Sequence, residues 1–185
     1  MTSEPIVSFT RMADSRAEDW PLVIESEAAY QKGLADRVLD LFARCESLTF
    51  AHKVTSRRHG LQTATRALRD GADEEMVVVA LLHDVGEAID PANHGAVTAA
   101  LLEPYVAPER AWLVRHHGLF QGYYYFHFVG RDRDERDRYR DHPAYRLTCD
   151  FCERWDQCSF DPAYDDLPLA AFEPMVRRTF ARRRA

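Results

Sequence analysis

Six side chains carry most of the chain's chemical potential: His59, the adjacent pair His83 and Asp84, His94, His117 and Asp156. Imidazole and carboxylate donors without thiolate suit iron, manganese or zinc rather than a sulfur-rich site. Four imidazoles and two carboxylates are more donors than one ion with an open position needs, so two ions are the natural count. A carboxylate can span two ions, whereas an imidazole nitrogen binds one. The His-Asp dipeptide alone carries little weight, because its plain reading is a partly buried histidine beside a solvated aspartate. The whole set is what points to a metal centre.

The elements that must position these groups are helices. An unbroken apolar run over residues 77–82 leads directly into His83 and Asp84, which places the pair at the edge of the core, where a metal is dry yet reachable. Asp73 is placed to cap that helix, and Gly86 with Asp90 and Pro91 closes it. Before it, residues 20–45 show helical spacing with a break at Gly33, and Ser56 reads as the N-cap of a helix that Gly71 ends, with His59 in its first turn. After it, helices are expected over 94–105, 109–121, 143–157 and 169–183. No stretch alternates with period two for long enough to be a strand. The predicted fold is all-α, a single helical bundle over residues 18–185 preceded by a loosely packed arm, residues 1–17.

With these residues and their order in view, the chain resembles the HD-domain superfamily over about residues 55–182. Within it, HGAVTAALL (94–102), LVRHHGLF (113–120), ERWDQCSFDP (153–162) and FEPMVRRTF (172–180) look closest to the mixed-valent diiron oxygenases typified by myo-inositol oxygenase and the hydroxyalkylphosphonate oxygenases. The resemblance implies that His59, His83, Asp84, His94, His117 and Asp156 are metal ligands, with Asp84 the bridge. It also implies an Fe(II)/Fe(III) pair, O2 as co-substrate, and cleavage of a C–C or C–P bond in a small hydroxylated metabolite. The alternative branch is the HD phosphohydrolases, which would use Mn or Zn on a phosphate ester or nucleotide. Three features depart from the oxygenase pattern: Glu87 stands where the family carries lysine or histidine, Gln121 stands where the phosphonate enzymes carry a basic residue, and the tyrosine and glutamate those enzymes carry shortly before the first histidine have no match in Thr49-Phe50-Ala51-His52.

Glu87, Gln121, Tyr123 and Arg115 are therefore the expected substrate contacts, and His116, beside a proposed ligand, reads equally as support for the centre or as a surface residue. The aromatic run 123–128 reads either as the ring side of a cation pocket or as packing of a loop over the core. Residues 131–141 read as a solvated helix pairing Asp132 with Arg136 and Asp134 with Arg138. Cys149, Cys152 and Cys158 lack a second pair with zinc-site spacing and read as packing thiols.

The totals set the outer bounds. A chain of 185 residues, 46% hydrophobic, is long enough for one domain with a core. A net charge of −6, with arginines matched by nearby acids, argues against a nucleic-acid surface. The apolar runs are too short for a membrane span, and the N-terminus lacks the pattern of a secretory signal, so a cytoplasmic location is expected. The expected partner is a small-molecule substrate, with no nucleic acid and no membrane, and the chain is expected to be a monomer or small homo-oligomer.

Overall fold

The computed structural model describes residues 6–184, and these form eight α-helices joined by short 3₁₀ turns, with no strand among the described residues. The helices are α1 (Trp20–Gln31), α2 (Leu34–Arg44), α3 (Ser56–Arg69), α4 (Glu74–Leu82), α5 (His94–Leu102), α6 (Pro108–Tyr125), α7 (Tyr145–Phe151) and α8 (Glu173–Phe180). The chain is thus all-α, a helical bundle. No described helix is long and apolar enough to cross a membrane. Of the expected N-terminal arm, residues 1–5 lie outside the described residues; α1, which follows it, buries none of its side chains.

The centre of the bundle is α4. Residues 77–82 are at most 1% exposed, and the helix packs against α3, α6 and α8. A helix apolar all round is stable only when surrounded. Each side chain of this kind contributes roughly 1.5–3 kcal/mol on full burial, so the run can hold its C-terminal end where polar groups are stripped of water. Its start is fixed by Asp73, whose carboxylate accepts from the Met76 backbone N–H at 2.9 Å and also pairs with Arg110.

Several boundaries differ from the sequence reading, each for a local reason. The N-cap of α3 is Thr55, not Ser56: the Thr55 backbone is extended and its hydroxyl accepts from Arg58 N–H at 3.1 Å, while Ser56 is already helical. Helix α5 stops at Leu102 because Pro104 has no N–H to continue the ladder. The predicted helix over 143–157 is α7 followed by a π turn, Cys152–Asp156. Residues 131–141 are not a helix but a segment with one 3₁₀ turn, Glu135–Tyr139. Its ion pairs are Arg131 with Glu135 and Arg140 with Asp137, in place of the two expected pairs. Arg136 instead lies 3.7 Å from the centre of the Tyr123 ring.

Close approach of α3 to α4 occurs at Gly60. A Cβ there would sit 2.5 Å from the Leu81 carbonyl oxygen and 2.8 Å from Phe42 Cε2. Alanine in place of a helical glycine ordinarily gains about 1 kcal/mol, but here it would push against backbone. We therefore expect Gly60→Ala to destabilise by about 1–3 kcal/mol, the usual cost of overpacking, read as a lower urea midpoint at unchanged m-value. A rise in the midpoint would show that the helices can part freely.

Candidate metal centre

Each of the six residues comes from a different structural device, and all six converge. His59 lies in the first turn of α3, held by the Thr55 cap. His83 is the C-cap of α4, and Asp84 begins the turn after it. His94 is the first residue of α5, brought in by Gly86, where a Cβ would lie 2.5 Å from the His94 carbonyl oxygen. His117 projects from the middle of α6. Asp156 ends the π turn, the kind of distortion that is often found at functional sites.

The donors fall into two groups joined by Asp84. In the first, His59 Nε2 lies 3.1 Å from His83 Nε2 and 3.1 Å from Asp156 Oδ1, and Asp84 Oδ2 is 3.2 Å from His83 Nε2. In the second, Asp84 Oδ1 lies 2.9 Å from His117 Nε2 and 3.3 Å from His94 Nε2, and the two imidazole nitrogens are 3.2 Å apart. Donors bound to one ion at roughly 2.0–2.2 Å sit about 3 Å from each other, so both groups have the spacing of ligands around a common centre.

Hydrogen bonding on the outer side of the rings strengthens this reading. All four histidines have Nδ1 within hydrogen-bonding distance of a backbone carbonyl: His59 of Ser159 at 3.0 Å, His83 of Ala80 at 2.9 Å, His94 of Pro91 at 2.8 Å and His117 of Val114 at 2.7 Å. Carbonyls only accept, so Nδ1–H donates in each ring and the neutral imidazole turns an Nε2 lone pair inward. His59 and His83 then face each other lone pair to lone pair, as do His94 and His117. Only a cation or a shared proton relieves such contacts.

The charges respond accordingly. Burial pushes the His83 and His117 imidazoles down, but the Asp84 and Asp156 carboxylates more than offset it and hold both above the ordinary histidine value. Burial likewise opposes ionisation of Asp84 and Asp156, and the surrounding imidazoles overcome it, holding both carboxyls below their usual range. Without metal, protons on the rings balance the carboxylates; a metal must displace them.

A cleft of about 490 Å³ opens onto the centre, and Glu87 and Gln121 line it as the sequence reading expects. The Gln121 amide donates to Asp156 Oδ1 at 2.9 Å. Burial, then the neighbouring Asp84 charge, pushes the Glu87 carboxyl up. The other expected contacts are not brought there. The Tyr123 ring lies under Arg133 and Arg136, and its neighbours Tyr124 and Tyr125 line the cleft instead. Arg115 is exposed and lines a neighbouring groove with Arg131. His116 stacks on Trp112, bonds to its carbonyl and packs against Tyr139, so it supports that aromatic cluster rather than the centre.

No family model matches the chain, and no curated protein does. The centre must therefore be read from its own geometry.

Two aromatic wall residues were not anticipated. Phe160 stacks on His59 with ring centroids 4.4 Å apart, and its place four residues after Asp156 was the available signal. His52 reaches the cleft from a turn in which Phe50 and Ala51 have φ of 44° and 64°. Neither residue type favours that left-handed conformation, so nothing local marks it. The cysteines behave as expected: Cys45, Cys149, Cys152 and Cys158 are free thiols, and burial followed by the Glu87 and Asp84 charges pushes Cys45 up to about 12.

Two outcomes test the centre. His94→Ala should lower bound metal from two ions per chain to about one, and Asp156→Ala should do the same by emptying the other group, whereas Asp84→Ala weakens both; elemental analysis after loading and desalting reads this, and equal loss in all three would sink the division into two groups. Because the raised His83 and His117 must give up protons to bind metal, affinity should fall as pH falls and binding should release protons. Calorimetry in buffers of different ionisation enthalpy measures that release, and a heat independent of buffer would contradict it.

Proposed function

We propose that the chain is an HD-type two-metal oxygenase that uses O2 to oxidise a small hydroxylated compound, with cleavage of a C–C or C–P bond. The observation that carries the two-metal reading is the division of the Asp84 oxygens, one toward His59 and His83, the other toward His94 and His117. Thiolate-free nitrogen and oxygen donors fit iron. An iron pair held by these six residues would supply one-electron redox chemistry and O2 activation.

The protein's own contribution is positional. His59, His83 and Asp156 have side chains at most 4% exposed, whereas His94 is 23% exposed and marks the open side. A substrate hydroxyl entering there meets the three-donor group, which leaves more coordination positions free than the four-donor group behind it. Phe160 over His59 and Phe151 against His83 keep water from the inner side. Gln121 holds Asp156 in place through its amide.

The wall chemistry favours this reading over the hydrolase. No arginine or lysine lines the cleft, while Glu87 does. A phosphate ester is best held by arginine, and a carboxylate beside it is repulsive; the same charge weighs against a phosphonate, so within the oxygenase reading the wall favours C–C over C–P cleavage.

The test is direct. Protein loaded anaerobically with iron and partly reduced should show the EPR signal of a coupled Fe(II)/Fe(III) pair and should consume O2 with a hydroxylated substrate. Phosphate release from esters by the manganese-loaded protein, with no O2 uptake by the iron form, would instead establish the hydrolase.

A further inference from the structure

The cleft wall is unbalanced in its hydrogen bonding. Glu87 Oε2 and Gln121 Oε1 are buried acceptors with no partner among the described residues. Asp156 Oδ2 shares that state but belongs to the metal ligands. A buried acceptor without a donor is costly, so a bound molecule that brings donors is favoured over one that brings acceptors. The rings around the cleft, Tyr124, Tyr125 and Phe160, carry no arginine over their faces, in contrast to Tyr123 and Phe126, which are both covered.

A neutral polyol would satisfy the acceptors, but it would leave the Glu87 charge uncompensated in a wall without arginine or lysine. An anionic substrate would meet the Glu87 charge in a wall that offers no arginine or lysine to receive it. An ammonium group meets every requirement: it donates up to three hydrogen bonds, it neutralises Glu87, and it is attracted to aromatic faces. Because Asp84 and Asp156 only partly neutralise a metal pair, a cation is best held away from the metals, and Glu87 is the one carboxylate in the wall that is not a ligand.

We propose that the substrate is a small hydroxylated amine, its ammonium group held by Glu87 and the Tyr124 and Tyr125 rings and its hydroxyl directed at the Asp84, His94 and His117 side of the centre. This rests on the two-metal reading for the hydroxyl but not for the ammonium group, since Glu87 binds no metal. Gln121 Oε1 supplies a further acceptor. Arg115 and Arg131 line a groove that meets the cleft at His94, Gly118 and Tyr125, and Arg115→Ala tests whether they reach the substrate.

Binding without turnover tests it. Zinc-loaded protein, redox-inert, is titrated by NMR with three compounds of nearly equal size: 2-amino-1-propanol, 1,2-propanediol and lactate. The amine should bind about tenfold more tightly than the diol, the scale of one charge-assisted contact, and lactate, which can chelate zinc through its carboxylate and hydroxyl, should gain affinity on Glu87→Gln. Glu87→Gln should reduce the amine to the level of the diol while zinc content and diol binding stay unchanged. Tyr125→Leu should weaken the amine alone, and Arg115→Ala should alter nothing. A loss of lactate affinity on Glu87→Gln, a loss of amine binding on Arg115→Ala, or an amine preference that survives Glu87→Gln would overturn the proposal. Fewer than two zinc ions per wild-type chain would overturn the two-metal reading, and the amine-to-diol ratio in that same sample would still decide ammonium recognition. Urea unfolding of each variant separates loss of binding from loss of fold.

Discussion

The structure turns on four imidazole rings whose outer nitrogens are committed to backbone carbonyls. Once Nδ1–H is donated outward, each Nε2 has only the interior to face, and there it meets another Nε2 or a carboxylate within about 3 Å. Lone pairs so placed repel unless a positive charge stands among them. The helices that carry the rings are held by burial of α4, and the geometry of the rings is held by ordinary main-chain groups. Main-chain hydrogen bonds thus fix which nitrogen of each ring turns inward, and a positive charge, whether proton or metal, offsets the repulsion among them.

Electrostatics and shape divide the labour across the cleft. His59, Asp84, His94, His117 and Asp156 all reach the cleft, with His94 the most exposed of them, while Phe160 covers the His59 face and Phe151 packs against His83 behind it. Asp84 belongs to both donor groups, so any shift in one group is felt by the other through a single carboxylate. Glu87 lies one turn beyond it, in the same 3₁₀ segment, and contributes charge to the wall without joining the ligands.

The all-α architecture was readable because it depends on short-range signals, and the six residues that converge were picked out by their types and by their order along the chain. The run 77–82 announces a buried helix, Asp73 its cap, and His83 with Asp84 a polar pair forced to the core's edge. What the sequence concealed depends on conformations that residue types do not advertise. Ser56 and Thr55 are both capping residues, and only the backbone decides between them. The α-helical period through residues 143–157 gives no sign that the last turn widens to a π turn, although that widening brings Asp156 inward. Regular charge alternation in residues 131–141 suggested a helix, but stacking of arginines on Tyr123 competes with helical pairing and prevails. His52 reached the cleft through two left-handed residues that are not glycine, a choice dictated by surroundings rather than by propensity.

The π turn of residues 152–156 also constrains how this molecule can vary. It ends in Asp156, and three residues later the Ser159 carbonyl orients His59, so one short segment delivers a ligand and sets the tautomer of another. Removing or adding a single residue would rotate the downstream chain by about 100° and displace both at once. Length drift should thus be forbidden across residues 152–159, yet tolerated in the exposed stretch around residues 127–135, where no ligand depends on register. Lineages of this fold would change their specificity by substitution in the wall and their length elsewhere.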